Sequence, residues 1–375
     1  MAALDQLETA KKRIQLIASS VGFNVLREDY KFNVISYISI IDCVTYMAIN
    51  GYDIKLFWGD LVRVCFCLVT WSFGYQGSAR IVIFVSKQKT IRYLYAKIHS
   101  FMQKMLMQRE TNYTVNKFAK YINIQTKALT ILFYLAGLMT IIYPLLVYAF
   151  TKEVILPFGF VIPGLSDTEQ PGYALNYLHH ILQVILTVGG LTASQGFNIL
   201  YLLGVCLMIE VLLIKLKELS KIIFLHEHSE EFIDYKEYLS EIISLHQDIL
   251  ELVEILEELF SIMFLIDVFS ISFQIIITLM VCTTTFWVSG FIIMMAVSLM
   301  LFIDCAYGLF LEVKFDALCT AVYDLPWHLM TIQDRKTVLF ILARSQNPTL
   351  LTFGKMAYMN MATFVEVIYL IISEQ

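Results

Sequence analysis

Long apolar stretches alternate with polar connections along the chain. A helix needs about 20 apolar residues to cross the roughly 30 Å hydrocarbon core of a bilayer, and seven stretches meet that requirement. They cover residues 32–50, 61–85, 128–150, 178–214, 259–282, 286–311 and 349–372. This pattern predicts an all-α, polytopic membrane protein with seven transmembrane helices.

The basic residues lie mainly in alternate connections between these stretches. Of the 27 Lys and Arg residues, 22 fall in four segments, which are 1–31, 86–127, 215–258 and 312–348. The other connections and the tail contain only Lys55 and Lys152. Because positive charge is retained on the cytoplasmic side of a membrane, we expect a cytosolic amino terminus and an extracellular carboxyl terminus.

A cytosolic helix is predicted just before the fifth apolar stretch. Its apolar residues recur at alternating steps of three and four, which is the heptad pattern of helices that pack along one another. This heptad seam consists of Phe232, Tyr235, Leu239, Ile242, His246, Ile249, Val253, Leu256 and Phe260. The seam could be buried within one chain or between chains. We favour an interface between subunits, because heptads are commonly interface seams.

A further cytosolic helix is expected between Pro326 and Pro348, because proline disfavours the helical conformation at both points. With the seam helix it would form a cytosolic helical anchor bundle. The segment 151–177 between the third and fourth stretches is rich in proline and glycine. We expect it to be an ordered, extracellular loop that could cover a pocket.

Composition excludes several classes of protein. The chain of 375 residues is 58% hydrophobic and 16% charged, with a mean hydropathy of +0.69, whereas soluble domains have about 25% charged residues. The formal net charge of -5 gives no positive field that could hold nucleic acid. No nucleotide-binding glycine loop, serine hydrolase motif or zinc-protease motif occurs in the sequence. We therefore expect membrane lipid as a partner, and no nucleic acid, enzyme activity, cofactor or metal site.

Aromatic and small residues cluster in one half of several predicted spans. Small-molecule sites between helices are mostly apolar and aromatic, with a few polar groups that fix the ligand's orientation. Pro144 would kink the third span and open space beside it. These residues are therefore candidates for a ligand site, and the alternative is that they only pack against each other or lipid. The candidates are Trp71, Phe73, Gly74, Tyr75, Gly137, Thr140, Ile141, Tyr143, His180, Gln183, Thr187, Phe291, Met294, Met295 and Ser298.

Ionisable residues inside the predicted spans are functional candidates by default, because a charge in the bilayer is costly. These residues are Asp42, Glu210, Asp267, Asp304 and Glu366. Glu210 and Asp304 could have nearby Lys or Arg side chains as structural partners. Glu366 is the candidate for a pore or gate, with a contact between helices as the alternative.

The carboxyl-terminal third of the sequence carries several specific motifs. They are Leu245–Leu250 running into Phe260, then Tyr323–Trp327, Asp334–Lys336, Ala343–Pro348, Leu351–Met356 and Met361–Phe364. In these motifs the sequence resembles insect odorant receptors, a family of odorant-gated cation channels. The chain length, the number of spans and the inverted orientation agree with that resemblance independently.

The resemblance implies four subunits around a central pore, which the seventh helix lines, and a tuning subunit that assembles with a shared co-receptor in the plasma membrane of a sensory neuron dendrite. The pore residues it implies, with Glu366, are Tyr369, Ile371, Ile372 and Gln375. The assembly residues it implies are His246, Trp327, Gln346 and Pro348. The chain lacks the long insertion that the co-receptor carries in its fourth loop, which favours a tuning subunit.

The resulting hypothesis is a subunit of a ligand-gated, non-selective cation channel that senses a small aromatic or weakly polar volatile. Its regions are a transmembrane ligand-binding region with spans one to four at 1–215, a cytosolic helical extension at 216–258, spans five and six at 259–311, a cytosolic anchor helix at 312–348 and a pore-lining seventh span at 349–375.

Two other chemosensory proteins and a transporter are the alternatives. A G-protein-coupled chemoreceptor needs the opposite orientation, and a gustatory-type receptor channel carries a Thr-Tyr signature where this chain has Ala362 to Val365. A transporter would usually show inverted repeats, and no two halves of this sequence match.

Overall fold

A computed structural model describes residues 2–228, 235–285 and 287–373. In these ranges the chain forms ten α-helices, one short 3-10 helix at Trp327–Leu329 and one two-stranded hairpin. The helices are α1 Ala2–Ser20, α2 Val34–Leu56, α3 Leu61–Ser86, α4 Gln88–Leu106, α5 Arg109–Thr151, α6 Gly172–His228, α7 Lys236–Thr284, α8 Val288–Tyr323, α9 Ile332–Ser345 and α10 Met361–Ser373. The strands of the hairpin are β1 Thr352–Phe353 and β2 Ala357–Tyr358.

The helical membrane fold predicted from the apolar stretches is confirmed. Five helices of the described residues, α2, α5, α6, α7 and α8, are long and apolar enough to cross a membrane by length and composition. Helix α3 carries buried polar side chains, among them Gln76 and Arg80, which lower its hydropathy. Helix α10 is apolar but has only 13 residues.

Helix α6 forms the centre of the molecule. It has 57 residues, which corresponds to a length of about 85 Å, so it extends well beyond the predicted span at 178–214. Residues 192–209 are all buried. This part of α6 is mostly apolar, and its polar side chains Thr192, Ser194, Gln195 and Asn198 are buried as well, so it has neighbours all round. Helices α1, α5, α7 and α8 supply these neighbours.

The amino-terminal segment forms a helix that the sequence analysis did not predict. Ala3, Leu7, Ala10 and Ile14 recur at steps of three and four and are almost fully buried. This stripe of α1 packs against α5 and α6. Arg13 reinforces the contact by donating a hydrogen bond of 2.9 Å from Nη1 to the Thr126 hydroxyl of α5.

The heptad seam is buried within the chain, so the expectation that it lies between subunits is wrong. From Tyr235 to Phe260 its side chains are at most 4% exposed, while Phe232 lies outside the described residues. Helix α7 packs there against the extension of α6, where Lys215 Nζ lies 2.9 Å from Glu241 Oε2. Helices of the same chain therefore bury the seam, with α9 contributing contacts at Tyr235 and His246, which leaves other surfaces for subunit contacts.

The last apolar stretch differs from its prediction as a single span. Its first part forms the β1–β2 hairpin, and the helix begins only at Met361. The turn of the hairpin contains Gly354 and Lys355 with positive φ angles of 60° and 63°, which a helix does not tolerate. Glu257 of α7 holds the hairpin, because its Oε2 accepts a 2.8 Å hydrogen bond from the Thr352 backbone N–H.

Helix α8 approaches the hairpin so closely that only glycine fits at one position. A Cβ atom on Gly308 would lie 1.7 Å from the backbone oxygen of Met359. The short α10 is therefore fixed at its start by both α7 and α8.

Candidate ligand-binding site

Two adjoining cavities lie inside the helical bundle. The first has a volume of about 110 Å³ and lies between the end of α1 and helices α2, α3 and α6. The second has a volume of about 80 Å³ and extends to α5 and α8. The wall that the two cavities share is formed by Tyr46, Phe73, Gln183, Thr187 and Leu191.

Glycines bring the helices around the cavities close together. A Cβ atom on Gly137 of α5 would lie 2.8 Å from Cγ2 of Val188 on α6. A Cβ atom on Gly74 of α3 would lie 2.7 Å from Cγ of Met47 on α2. Side chains larger than hydrogen at these two positions would push the helices apart, so the spacing of α2, α3, α5 and α6 depends on them.

The connection between α5 and α6 closes one end of the second cavity, as expected for the loop 151–177. Phe158 contributes its side chain to the cavity wall, and the neighbouring Phe160 is fully buried against Tyr46. The loop is fixed by side chains of two helices. Asp53 Oδ2 accepts a 2.6 Å hydrogen bond from the Val161 N–H, and Asn176 Oδ1 accepts one of 2.7 Å from the Ile162 N–H.

The structure brings six of the fifteen candidate residues together on the cavities. These six are Phe73, Gly74, Gly137, Thr140, Gln183 and Thr187. They come from α3, α5 and α6, and Gln183 is the most polar of them. The pattern of small and aromatic residues therefore identified three helices that line the cavities and, on these three, part of the faces that line them.

Four other candidates lie on outward faces of their helices. They are Trp71, Tyr75, Phe291 and Met295, with exposed fractions between 39% and 56%. On α8 the cavity is lined instead by Ile292, Ile293, Ala296, Val297 and Met300. Neighbouring residues of a helix point about 100° apart. Phe291 and Met295 were chosen for their aromatic or Met side chains, and they lie on the side of α8 next to the one that lines the cavity.

The remaining candidates lie close to the cavities but do not line them. His180 is 1% exposed, and the centroid of its ring lies 4.2 Å from that of Phe160. It therefore packs behind the residues that line the cavities. The backbone oxygen of Ile141 accepts a hydrogen bond of 2.5 Å from the Tyr177 hydroxyl. The side chains of Tyr143, Met294 and Ser298 are half-buried outside both linings.

Sequence reasoning missed several lining residues. Tyr46 of α2 and Phe133 of α5 were not singled out, although both are large buried aromatic residues. On α8, Ile293, Val297 and Met300 are spaced by four and three and are all at most 8% exposed. That spacing is the apolar stripe of a helix facing a core, and it was the signal that could have identified the inward face.

An ion pair lies beside the first cavity, which Arg80 also lines. Arg80 Nη2 lies 2.8 Å from Asp267 Oδ2 of α7, and Arg80 Nε donates a 3.0 Å hydrogen bond to the Ser194 hydroxyl of α6. Asp304 of α8 accepts a 3.0 Å hydrogen bond from Gln195 Nε2. Its partner is therefore an amide and not a Lys or Arg side chain.

A second ion pair agrees with the sequence analysis. Glu210 of α6 pairs with Lys314 of α8, as expected for a structural contact. Among the described residues, no group of three or more His, Cys, Asp or Glu side chains could hold a metal ion.

The described residues among those implied for the pore lie on the last helix. Glu366 is exposed and Tyr369 is 70% exposed on α10, whereas Ile371 is 3% exposed and packs into the core. The side chain of Ile372 and the whole of Gln375 lie outside the described residues. One face of α10 therefore has no partner within the described part of the chain.

The residues implied for assembly differ in their surroundings. Trp327, at 49% exposure, and Gln346 lie on the surface, and Pro348 is half-buried. His246 is 4% exposed and its Nε2 lies 3.3 Å from the Ser345 hydroxyl of α9. Burial, and after it the positive charge of Arg344, lowers the pKa of His246 below its usual value.

Comparisons with known proteins give the family. A family model described as "7tm Odorant receptor" matches residues 60–372. Odorant receptor 2a of Drosophila melanogaster is 35% identical over 72 residues, which are 19% of this chain and only 18% of that protein.

Solved structures show the same fold. The insect olfactory receptor OR5 from Machilis hrabei matches with a TM-score of 0.80 at 16% identity, over 99% of this chain and 97% of that one. The structure of the same receptor in complex with eugenol matches with a TM-score of 0.72 at 17% identity, with the same coverage. The resemblance found in the motifs is thereby confirmed, and the proteins of this family are receptors and not enzymes. Since the family model covers most of its length, this chain belongs to the insect odorant receptor family.

Proposed function

We propose that this protein is the odorant-binding tuning subunit of a ligand-gated, non-selective cation channel that assembles with a co-receptor. The observation that carries the proposal is the pair of adjoining cavities in the bundle, in a chain of the odorant receptor family. A ligand would bind there and shift the equilibrium between closed and open states by its difference in affinity for the two.

The size and lining of the cavities support a small aromatic or weakly polar volatile as the ligand. An apolar protein cavity of about 150 Å³ is large enough to bind benzene, and these cavities of about 110 and 80 Å³ share a wall. Phe73 and Phe133 supply aromatic surface, while Gln183 and Thr187 supply polar groups that could fix the ligand's orientation.

The unpartnered face of α10 supports a role in the pore. Val365, Tyr369 and Leu370 are 59% to 70% exposed, and Glu366 is exposed beside them. Four copies of this face around an axis would line a channel, with Glu366 as a negatively charged group that attracts cations. Tyr369 belongs to this face, whereas Ile371 packs into the core and does not. Ile372 and Gln375, the other residues proposed for the pore, have side chains outside the described part of the structure.

The surface of α9 supports assembly with other subunits. Ile332, Leu339 and Phe340 are 63% to 76% exposed, next to Trp327, and an exposed apolar patch of this kind is typical of a protein interface. We place Trp327, Gln346 and Pro348 in the subunit contact of a heterotetramer. His246 would act on it indirectly, through Ser345.

The distribution of Lys and Arg supports a cytosolic amino terminus and an extracellular carboxyl terminus. The plasma membrane of a sensory neuron dendrite is the location that the family resemblance implies. In a glycosylating cell, we expect the sequon at Asn112 to stay unmodified and a sequon engineered into 151–177 to receive a glycan. A glycan on Asn112 would show that the chain has the opposite orientation and would favour a G-protein-coupled receptor.

The function itself is tested by current in excised patches. The chain is expressed with an insect odorant co-receptor, and outside-out patches are exposed to small aromatic volatiles, eugenol among them, with GTP absent and a GDP analogue in the pipette. We expect a ligand-evoked cation current that the co-receptor alone does not give. A response that requires GTP would contradict the proposal, and so would the absence of any response from a chain that reaches the cell surface.

A further inference from the structure

A carboxylate on α2 faces the first cavity. Asp42 lines this cavity together with Phe73, Gln183 and Thr187. Its Oδ2 accepts a 2.8 Å hydrogen bond from Gln183 Nε2. Gln183 is 5% exposed and belongs to the wall between both cavities. The amide therefore holds the carboxylate at the junction of the two cavities.

Asp42 has no cationic partner among the described residues. No nitrogen of a described Lys, Arg or His side chain lies within 4.0 Å of its carboxylate oxygens. Arg80, which lines the same cavity, pairs with Asp267. His179, one turn from Gln183 on α6, interacts with Asp42 electrostatically but at a longer distance. Asp42 is half-buried among mostly apolar side chains. A carboxylate in such surroundings is stabilised by a compensating group, and the cavity is the place from which a group outside the chain can reach it.

We propose that the two cavities bind a small organic amine whose ammonium group pairs with Asp42. This inference rests on the proposed function, since it names the class of ligand for the same site. The ammonium group would donate a charge-assisted hydrogen bond to the carboxylate, and the apolar body would lie against Phe73, Leu191 and Phe133 in the second cavity. Gln183 positions Asp42, and its amide separates the polar part of the site from the apolar part.

The proposal predicts discrimination between molecules of equal size. Benzylamine, benzyl alcohol and ethylbenzene differ only in the terminal group, which is an ammonium, a hydroxyl or a methyl. A site built around a buried hydrogen-bonding group rejects analogues that lack the matching group. A charge-assisted hydrogen bond corresponds to an affinity gain of about tenfold or more, so we expect benzylamine to bind about tenfold tighter than either neutral analogue.

The test is ligand binding to the purified full-length chain at neutral pH, measured as the concentration that half-saturates the rise in melting temperature. In Asp42→Asn, benzylamine should lose its advantage while ethylbenzene binds as before, because the apolar wall is unchanged. Asp42→Glu should keep part of the preference for the amine. Asp316→Asn is the matched control, because Asp316 is an exposed carboxylate of α8 that lines neither cavity, and it should keep the whole preference.

Equal affinity of the wild-type chain for benzylamine and ethylbenzene would overturn the proposal, and this comparison needs no variant to fold. An amine preference that survives in Asp42→Asn would also overturn it. Binding of ethylbenzene without any preference for the amine would leave the proposed odorant site intact. If none of the three molecules bound, the proposed odorant site would be contradicted as well.

Discussion

Arg80 of α3 and Asp267 of α7 form an ion pair, with Nη2 and Oδ2 2.8 Å apart, in which the two side chains are only 6% and 2% exposed. These residues are 187 positions apart in the chain. The pair joins α3 to α7 beside the first cavity, and Ser194 extends it to α6. It therefore links a wall of the candidate ligand site to the helix that holds the β1–β2 hairpin and α10.

We expect Arg80→Met to lower the free energy of unfolding by about 3 to 5 kcal/mol, because removing one partner leaves an uncompensated buried charge. The double variant Arg80→Met, Asp267→Leu should recover much of that loss, since no buried charge remains. Melting of the detergent-purified chain measures both effects. A double variant no more stable than the single one would show that the charge of Asp267 is not the cause.

Gly354→Ala should destabilise the hairpin before α10. The residue has a positive φ angle of 60°, and a Cβ atom there would lie 2.4 Å from Cδ2 of Leu265. The backbone conformation alone costs roughly 1–2 kcal/mol for a residue other than glycine. A fall in melting temperature is the expected result.

Gly51→Ala is the matched control for that substitution. A Cβ atom on Gly51, inside the carboxyl-terminal part of α2, would have no neighbour within 4 Å, and alanine in a helix is favoured over glycine by about 1 kcal/mol. This variant should melt at the same temperature as the wild type or higher. An equal effect of the two substitutions would contradict the role given to Gly354.

His246 should make the contact between α7 and α9 sensitive to acid. Burial lowers its pKa in the folded chain, whereas an unfolded chain takes up the proton near pH ~6.5. The unfolded state then binds more protons than the folded state, so stability falls as the pH drops below ~6.5. His246→Gln should flatten this dependence in a melting series over pH. His328→Gln, which changes an exposed histidine, should leave the wild-type slope, and a slope unaffected by His246→Gln would exclude His246 as its source.

Phe340→Asp should weaken subunit assembly without unfolding the chain. Phe340 is 76% exposed on α9, on the side away from the buried Val338, so a charge there costs little in the monomer but disrupts an apolar interface. We expect less tetramer in size-exclusion chromatography or native mass spectrometry at an unchanged melting temperature. Gln103→Asp, an exposed residue of α4, is the control with the same added charge, and equal assembly of the two variants would contradict an interface on α9.

The helical membrane fold could be predicted from the sequence because the apolar stretches are long and the motifs around Tyr323–Phe364 are specific. The burial of the seam within the chain could not, since a heptad pattern does not distinguish a neighbouring helix of the same chain from one of another chain. The hairpin at Thr352 could not be predicted from the sequence either. Hydropathy averages over many residues, while the turn depends on the backbone conformation of two residues, Gly354 and Lys355.

The candidate site could be predicted only in part. Gly137 and Gln183 were identified because small and polar residues are unusual in an apolar helix. The α8 face was missed because aromatic content favours Phe291, whereas the cavity is lined by aliphatic Ile293 and Val297. The pairing of Arg80 with Asp267 depends on the packing of α3 against α7, which no local pattern reveals.

Filling the second cavity tests the account most directly. Val297 is 4% exposed and lines the cavity, whereas Met295 lies two residues away at 56% exposure. In cells that also express a co-receptor, we measure dose-response curves for ligand-evoked current in Val297→Phe and in the matched Met295→Phe, at equal surface expression. Because a phenyl group would occupy space needed by the ligand, Val297→Phe should raise the half-maximal concentration about tenfold or more, while Met295→Phe should respond as the wild type does. Unchanged sensitivity in Val297→Phe, or an equal loss in Met295→Phe, would contradict a ligand site in this cavity.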